Sequence, residues 1–203
     1  MRGFVDIFFR IVSIFGHPIL YPTYFSLMVR DMFNLSVTEV FFFTFIVPLL
    51  ALTIVFGAKI YKMEAAGLSG KIEQFFDSTK NRTYALSLML VCFFPVIMTM
   101  RDNVTILTVV YILAALSTVF CLLINNFWRV SIHSFCCGFV LYLILIEYSI
   151  LFENHLLVSV FSILASGLVV SSRLYLGRHN NLQVHLGFLL GFIIPAIFFM
   201  IIP

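Results

Sequence analysis

Long apolar runs recur along this chain, and the polar intervals between them are too short to clothe a water-soluble core. Six runs read as bilayer-crossing helices: about Val40–Phe56, Tyr84–Met100, Val104–Phe127, Phe135–Phe152, Leu156–Val170 and Leu186–Ile202. Several fall short of the ~20 residues that span a hydrocarbon core upright, a mismatch that tilt or local thinning absorbs. Of 203 residues, 62% are hydrophobic and 10% charged, against about 25% charged in a globular domain. No tract shows the ten-residue alternation of an outer-membrane barrel, so the spans are helical. Phe4 to Met28 is a further apolar stretch, kinked by Pro18 and Pro22 and loaded by Asp6 and Arg10 in its first turns. It reads as a kinked seventh span or as an interfacial helix leading into a re-entrant turn. Those early charges, with no small-residue cleavage site after them, argue against a cleaved signal. The expected fold class is all-α: a polytopic membrane helix bundle of six spans plus a Pro-kinked N-terminal segment, in one integral membrane domain over 1–203.

Two function classes are set aside by composition. The net charge is +3 and the basic residues sit at span ends without forming a stripe, so no nucleic-acid partner is expected. Cys92, Cys121, Cys136 and Cys137 lie in or beside apolar runs, where free cysteine behaves as a small hydrophobe. Adjacent Cys136 and Cys137 lack the C-x-x-C spacing of a redox or metal site.

The polar residues that remain gather at three stations. The first is Arg82; the second is Arg129-Val130-Ser131-Ile132-His133; the third runs from Ser172-Arg173 through Arg178-His179 to Gln183. Two spans separate Arg82 from Arg129, and two more separate His133 from Arg173, so the three stations are expected on one side of the membrane. Which side is not fixed by loop charge. Counting all basic residues gives ten on the station side against two, but removing the ligand candidates, and moving Arg2 and Arg10 across, leaves four against four.

Ionisable groups are costly at membrane depth and mark function by default. Arg173 and Arg178 carry planar forks suited to phosphate oxygens. His179 is able to act as nucleophile or proton carrier near neutral pH. Gln183, four residues on, shares its helical face and is placed to hold one ring nitrogen. Ser131 is placed to cap the following helix, whose unpaired N–H groups attract anions, and His133 to protonate a leaving oxygen. Two histidines, an anion-attracting helix end and several arginines suit phosphoryl transfer through a phosphohistidine. Lys59, Lys62 and Arg101 read as snorkelling anchors, His17 as the residue that fixes the Pro18 turn, and His185 as interfacial packing.

From about Lys71 to the C-terminus the chain resembles the type 2 phosphatidic acid phosphatase superfamily. The third station matches that family's last signature in Ser172-Arg173, five residues, then His179, and the second resembles its Pro-Ser-Gly-His in Ser131 and His133. The first signature, Lys, six residues, Arg-Pro, is met only by Arg82-Thr83. His17-Pro18-Ile19-Leu20-Tyr21-Pro22-Thr23-Tyr24 looks like the opening of a divergent bacterial membrane subgroup related to it. The resemblance implies His179 as nucleophile, His133 as general acid, and Arg82, Arg173 and Ser131 as the phosphate clamp. It implies no metal and no cofactor, a lipid phosphate as substrate, and a bacterial inner-membrane location with a periplasmic site. It leaves the oligomeric state open.

Beyond Thr83, four positions depart from that pattern. Phe75 stands for the first-motif Lys, with Arg129 or Arg178 as candidate compensating charges. Val130 and Ile132 stand for Pro and Gly. Gln183 replaces the Asp that orients the nucleophile; its amide oxygen still accepts a hydrogen bond but brings no charge. The leading expectation is thus an integral-membrane lipid-phosphate phosphatase, a metal-independent hydrolase of polyprenyl or glycerolipid phosphates or diphosphates. The alternative is a catalytically impaired relative that binds a lipid phosphate for transport, sensing or assembly. A metal-dependent membrane hydrolase fits less well, since H-E-x-x-H is absent.

Overall fold

The computed structural model describes residues 2–29, 36–63, 67–100, 106–148 and 156–201. Among the described residues all regular structure is helical. In chain order the α-helices are α1 (Arg2–Phe15), α2 (Tyr21–Val29), α3 (Val37–Phe41), α4 (Val47–Tyr61), α5 (Gly67–Asp77), α6 (Thr79–Met100), α7 (Ile106–Asn125), α8 (Ile132–Tyr142), α9 (Leu156–Tyr175) and α10 (Asn181–Ile201). A 3-10 turn over Pro18–Leu20 joins α1 to α2, and π-helical segments over Phe42–Ile46 and Leu143–Tyr148 lead into α4 and extend α8. Pro48 has no N–H to return to Thr44, which accounts for the widened turn before α4.

The protein is an all-α membrane protein. Among the described residues five helices are long and apolar enough to cross a bilayer: Phe42–Tyr61, Thr79–Met98, Thr108–Asn125, Leu156–Tyr175 and Asn181–Ile201. The broken pair Gly3–Phe15 and Pro18–Met28 is a sixth candidate, as a bent span or a re-entrant loop. The run expected over Phe135–Phe152 forms a shorter apolar helix, Ile132–Ile146, and its last residues lie outside the described ones, as do Glu153 and His155. Large side chains such as Ile54, Phe161 and Met200 stay exposed on these helices, as they do where lipid tails rather than water are the solvent.

The chain divides into two compact units: Met1–Tyr21 with Val130–Pro203, and Pro22–Arg129. The boundary falls inside the phosphatase-like region expected over about 71–203, between Arg129 and Val130.

In the first unit α8 lies along α10 and α9 packs against both α1 and α8. Glycines set the α8–α10 contact. A β-carbon at Gly138 would collide with the Phe188 carbonyl, one at Gly191 with the Phe135 carbonyl, and one at Gly187 would crowd the Ser131 carbonyl. The matched order of these contacts makes the two helices parallel, with their N-termini side by side. Small residues that admit close backbone approach are the usual means of helix association in lipid. Helix α1 runs antiparallel to α9: Tyr175 Oη donates to Asp6 at 2.9 Å, and Gly16 meets Val169 so closely that a β-carbon there would collide.

In the second unit α6 and α7 form the main pair, with α4 and α5 against α6. Phe56, Phe75 and Ala85 make a buried apolar cluster. Deeper polar ties join the elements. Ser26 bonds Tyr111 Oη at 2.5 Å, and Thr44 donates to Thr23 at 2.9 Å.

Candidate functional site

The third station is a turn built by two backbone motifs in succession. Helix α9 stops because Gly177 adopts φ +65°, a left-handed conformation natural to glycine. The Arg178 N–H then donates to the Arg173 carbonyl at 3.2 Å and the Gly177 N–H to the Leu174 carbonyl at 3.0 Å. That pair of bonds is a Schellman cap. Helix α10 starts three residues later with a reciprocal cap: Asn180 Oδ1 accepts from the Gln183 N–H at 2.9 Å, and Gln183 Oε1 accepts from the Asn180 N–H at 3.2 Å. Between the two caps, Arg178 and His179 are presented at a turn of fixed shape.

Gln183 has a second use. Its Oε1 also lies 3.2 Å from His179 Nδ1. Because the Asn180 N–H is a donor, the amide must present oxygen on this side, and an amide oxygen only accepts. Nδ1 therefore carries the hydrogen and the lone pair of a neutral His179 sits on Nε2. The spacing argument for Gln183 is borne out in geometry. The side chain supports the first turn of α10 as well as the imidazole.

The second station stands beside the third. Ser131 is the N-cap of α8, fully buried, its Oγ accepting from the Ser134 N–H at 3.5 Å and the Ser134 hydroxyl at 3.0 Å. The Ser131 N–H donates to the Gln183 carbonyl at 3.3 Å, which ties the start of α8 to the first turn of α10. Two helix N-termini, each with partial positive charge, thus open at one end of the unit. His133 stands in the first turn of α8. The second and third stations thus lie at one end of this unit.

Arg173 lies in the last turn of α9 and is 7% exposed. Its Nη1 donates to Ser13 Oγ at 2.7 Å, and its charge acts through space on His17. The His17 ring packs edge-to-face on the His133 ring with centroids 5.3 Å apart. As the turn reading held, His17 caps the 3-10 turn, Nδ1 accepting from the Ile19 N–H at 3.4 Å. Its contact with His133, and the role of Ser13, were missed. Both lie more than 100 residues from their partners, and no local spacing signals them. His185 Nδ1 faces the Asn181 carbonyl at 2.7 Å on an exposed surface.

The first station belongs to the second unit. Arg82, in the first turn of α6, is 4% exposed, and its neighbour Asn81 is equally buried. Phe75 is a core residue at 1% exposure, its ring tilted against that of Phe56 with centroids 5.0 Å apart. Lys59 of α4 reaches the same place: its Nζ donates to Asn81 Oδ1 and lies 5.8 Å from the Phe75 ring centroid. Asn81 Nδ2 in turn donates to the Phe75 carbonyl at 2.9 Å. Lys59 is therefore more than an interfacial anchor. Asn125 of α7 closes the station by donating to Thr83 Oγ1 at 3.0 Å and the Thr79 carbonyl at 3.3 Å. Arg129 ends this unit, in the turn after α7. Ser131, His133, Arg173, Arg178, His179 and Gln183 are brought together in one unit; Arg82 and Arg129 fall in the other.

Among the described residues no three His, Cys, Asp or Glu side chains converge as a metal-ligand set. Searches against family models, curated proteins and solved structures find no match to the chain.

Proposed function

We propose that the protein is an integral-membrane lipid-phosphate phosphatase acting through a phosphohistidine on His179. The observation that carries this reading is the Gln183 Oε1 contact with His179 Nδ1, which leaves the Nε2 lone pair as the nucleophile, beside the paired starts of α8 and α10. In the first step Nε2 attacks phosphorus and the bond from phosphorus to the lipid oxygen breaks. His133 gives its proton to that oxygen, releasing the lipid alcohol, or a lipid monophosphate where the substrate is a diphosphate. In the second step water attacks phosphorus, the P–N bond breaks, and the water proton returns to His133, releasing inorganic phosphate. Arg173 and the helix N-termini balance the charge of the phosphoryl oxygens. The substrate class is a polyprenyl or glycerolipid phosphate or diphosphate, whose tail lies in the bilayer while the headgroup meets the polar stations. The family resemblance adds a bacterial inner-membrane location with a periplasmic site.

A second reading draws on one specific feature. Gln183 Oε1 is shared between the imidazole and the Asn180 N–H and carries no charge, so it does little to stabilise a developing imidazolium. Loss of such a carboxylate costs about 10⁴ in rate in the serine-protease template. A relative that binds lipid phosphate and turns it over slowly, or not at all, fits that feature.

Purified protein in detergent, given phosphatidic acid and a polyprenyl diphosphate without added metal, should release phosphate, and His179→Ala should abolish release. Equal background release by both proteins, with tight lipid-phosphate binding, favours the second reading. Absence of both release and binding rejects the two together.

A further inference from the structure

Helix α1 and the turn that follows it reach the two groups on which the proposed chemistry depends. Ser13 holds Arg173 through a bond of 2.7 Å between two residues each only 7% exposed. One turn later His17 sets its ring against His133. Gly16, between them, brings this turn onto α9 at Val169, closer than any side chain would allow. Two further ties hold α1 in register: Phe9 stacks on Tyr175 at 4.5 Å, and Tyr175 bonds Asp6.

We infer that the Ser13–His17 turn is the positioning element of the phosphate site, with His17 setting the ring of the general acid His133 and Ser13 setting the fork of Arg173. The inference rests on the phosphatase reading for its kinetic consequences, but its geometry stands without that reading. His17 suits the role because its own state is fixed. Nδ1 is used as an acceptor by the Ile19 N–H, so His17 is neutral with its hydrogen on Nε2. A neutral ring buttresses an imidazolium without competing with it for charge. Ser13 works differently. A buried arginine fork has several rotamers open to it, and one short bond to a fixed hydroxyl removes most of them, so less freedom is lost when phosphate binds. Ser13 and His17 are positioning residues: neither is assigned a contact with the phosphate.

Three variants separate this role from mere support of the fold. His17→Asn keeps a side-chain oxygen to cap the Ile19 N–H, since asparagine is a strong N-cap, and removes only the ring. Its kcat on phosphatidic acid should fall on the order of tenfold, within the range a general acid contributes, with KM changed less than about twofold. Ser13→Ala should raise KM about tenfold, the scale of a hydrogen bond to a charged group, with a smaller effect on kcat; Ser13→Thr should restore most of it. NMR of the histidine-labelled full chain in micelles supplies a readout that needs no substrate. Wild-type His17 should be the Nε2–H tautomer at neutral pH, and His17→Asn should displace the His133 ring resonances. A wild-type His17 imidazolium, or His133 resonances unmoved in His17→Asn, overturns the inference. Should the wild type release no phosphate, the phosphatase reading fails while the NMR results still decide the positioning role.

Discussion

Gln183 Oε1 sits 3.2 Å from His179 Nδ1 and 3.2 Å from the Asn180 N–H, so one neutral oxygen serves both the imidazole and the helix cap. A carboxylate of the same reach would keep both contacts and add the missing charge. Gln183→Glu is isosteric, whereas Asp is one methylene shorter and forfeits one of the two contacts. Turnover should rise at least about tenfold in Gln183→Glu, a fraction of what such a carboxylate supplies in the serine-protease template. Gln183→Met should lower turnover and shorten the helix start. Steady-state phosphate release measures both.

The α8–α10 seam has no room at its glycines. Gly138→Ala and Gly191→Ala each force a methyl into a facing carbonyl, and overpacking of this kind costs about 1–3 kcal/mol. Both should lower the thermal midpoint in detergent, and both should loosen the Ser131–Gln183 tie that keeps the two stations together. Gly167, where a β-carbon meets nothing within 4 Å, is the control: Gly167→Ala should leave the midpoint unchanged or raise it.

The two caps make separate predictions. Gly177→Ala places a side chain at φ +65° and should cost about 1 kcal/mol. Ser131→Ala removes the α8 cap and should cost about 1 kcal/mol as well. Because it alters the helix end beside His133, it should also reduce turnover, while Gly177→Ala acts through the spacing of Arg173 and Arg178. Thermal unfolding with parallel kinetics distinguishes them.

In the second unit Lys59, Asn81 and the Phe75 carbonyl form one chain of hydrogen bonds. Lys59→Met retains the stem over the Phe75 ring and removes the charge, leaving buried Asn81 Oδ1 without its donor. A buried acceptor stripped of its partner costs about 1–3 kcal/mol, so the variant should unfold earlier than wild type. Lys62→Met, at an exposed position, should not.

How much of this was legible from sequence follows from distance along the chain. The helical class and most spans were readable because composition and run length report the solvent directly. The Gln183–His179 contact and the Ser131 cap were readable because they join residues three or four apart, where helix geometry fixes neighbours. Phe75 was read as the loss of a charge; Lys59, sixteen residues upstream on another helix, lies over its ring and bonds Asn81, and nothing in its local sequence separates it from an interfacial anchor. Ser13 and His17 were illegible as partners of Arg173 and His133, since only the antiparallel seat of α1 on α9 brings them there.

The phosphoenzyme itself is the most direct object to measure. Wild-type protein and His179→Ala are mixed with phosphatidic acid labelled in its phosphate, quenched in alkali, which preserves phosphohistidine, and digested for peptide mapping. Label should appear on the peptide carrying His179 in the wild type, and His179→Ala should carry none. Phosphate release with label on no histidine, or label that survives His179→Ala undiminished, would contradict a nucleophilic His179 and with it the chemistry proposed for this fold.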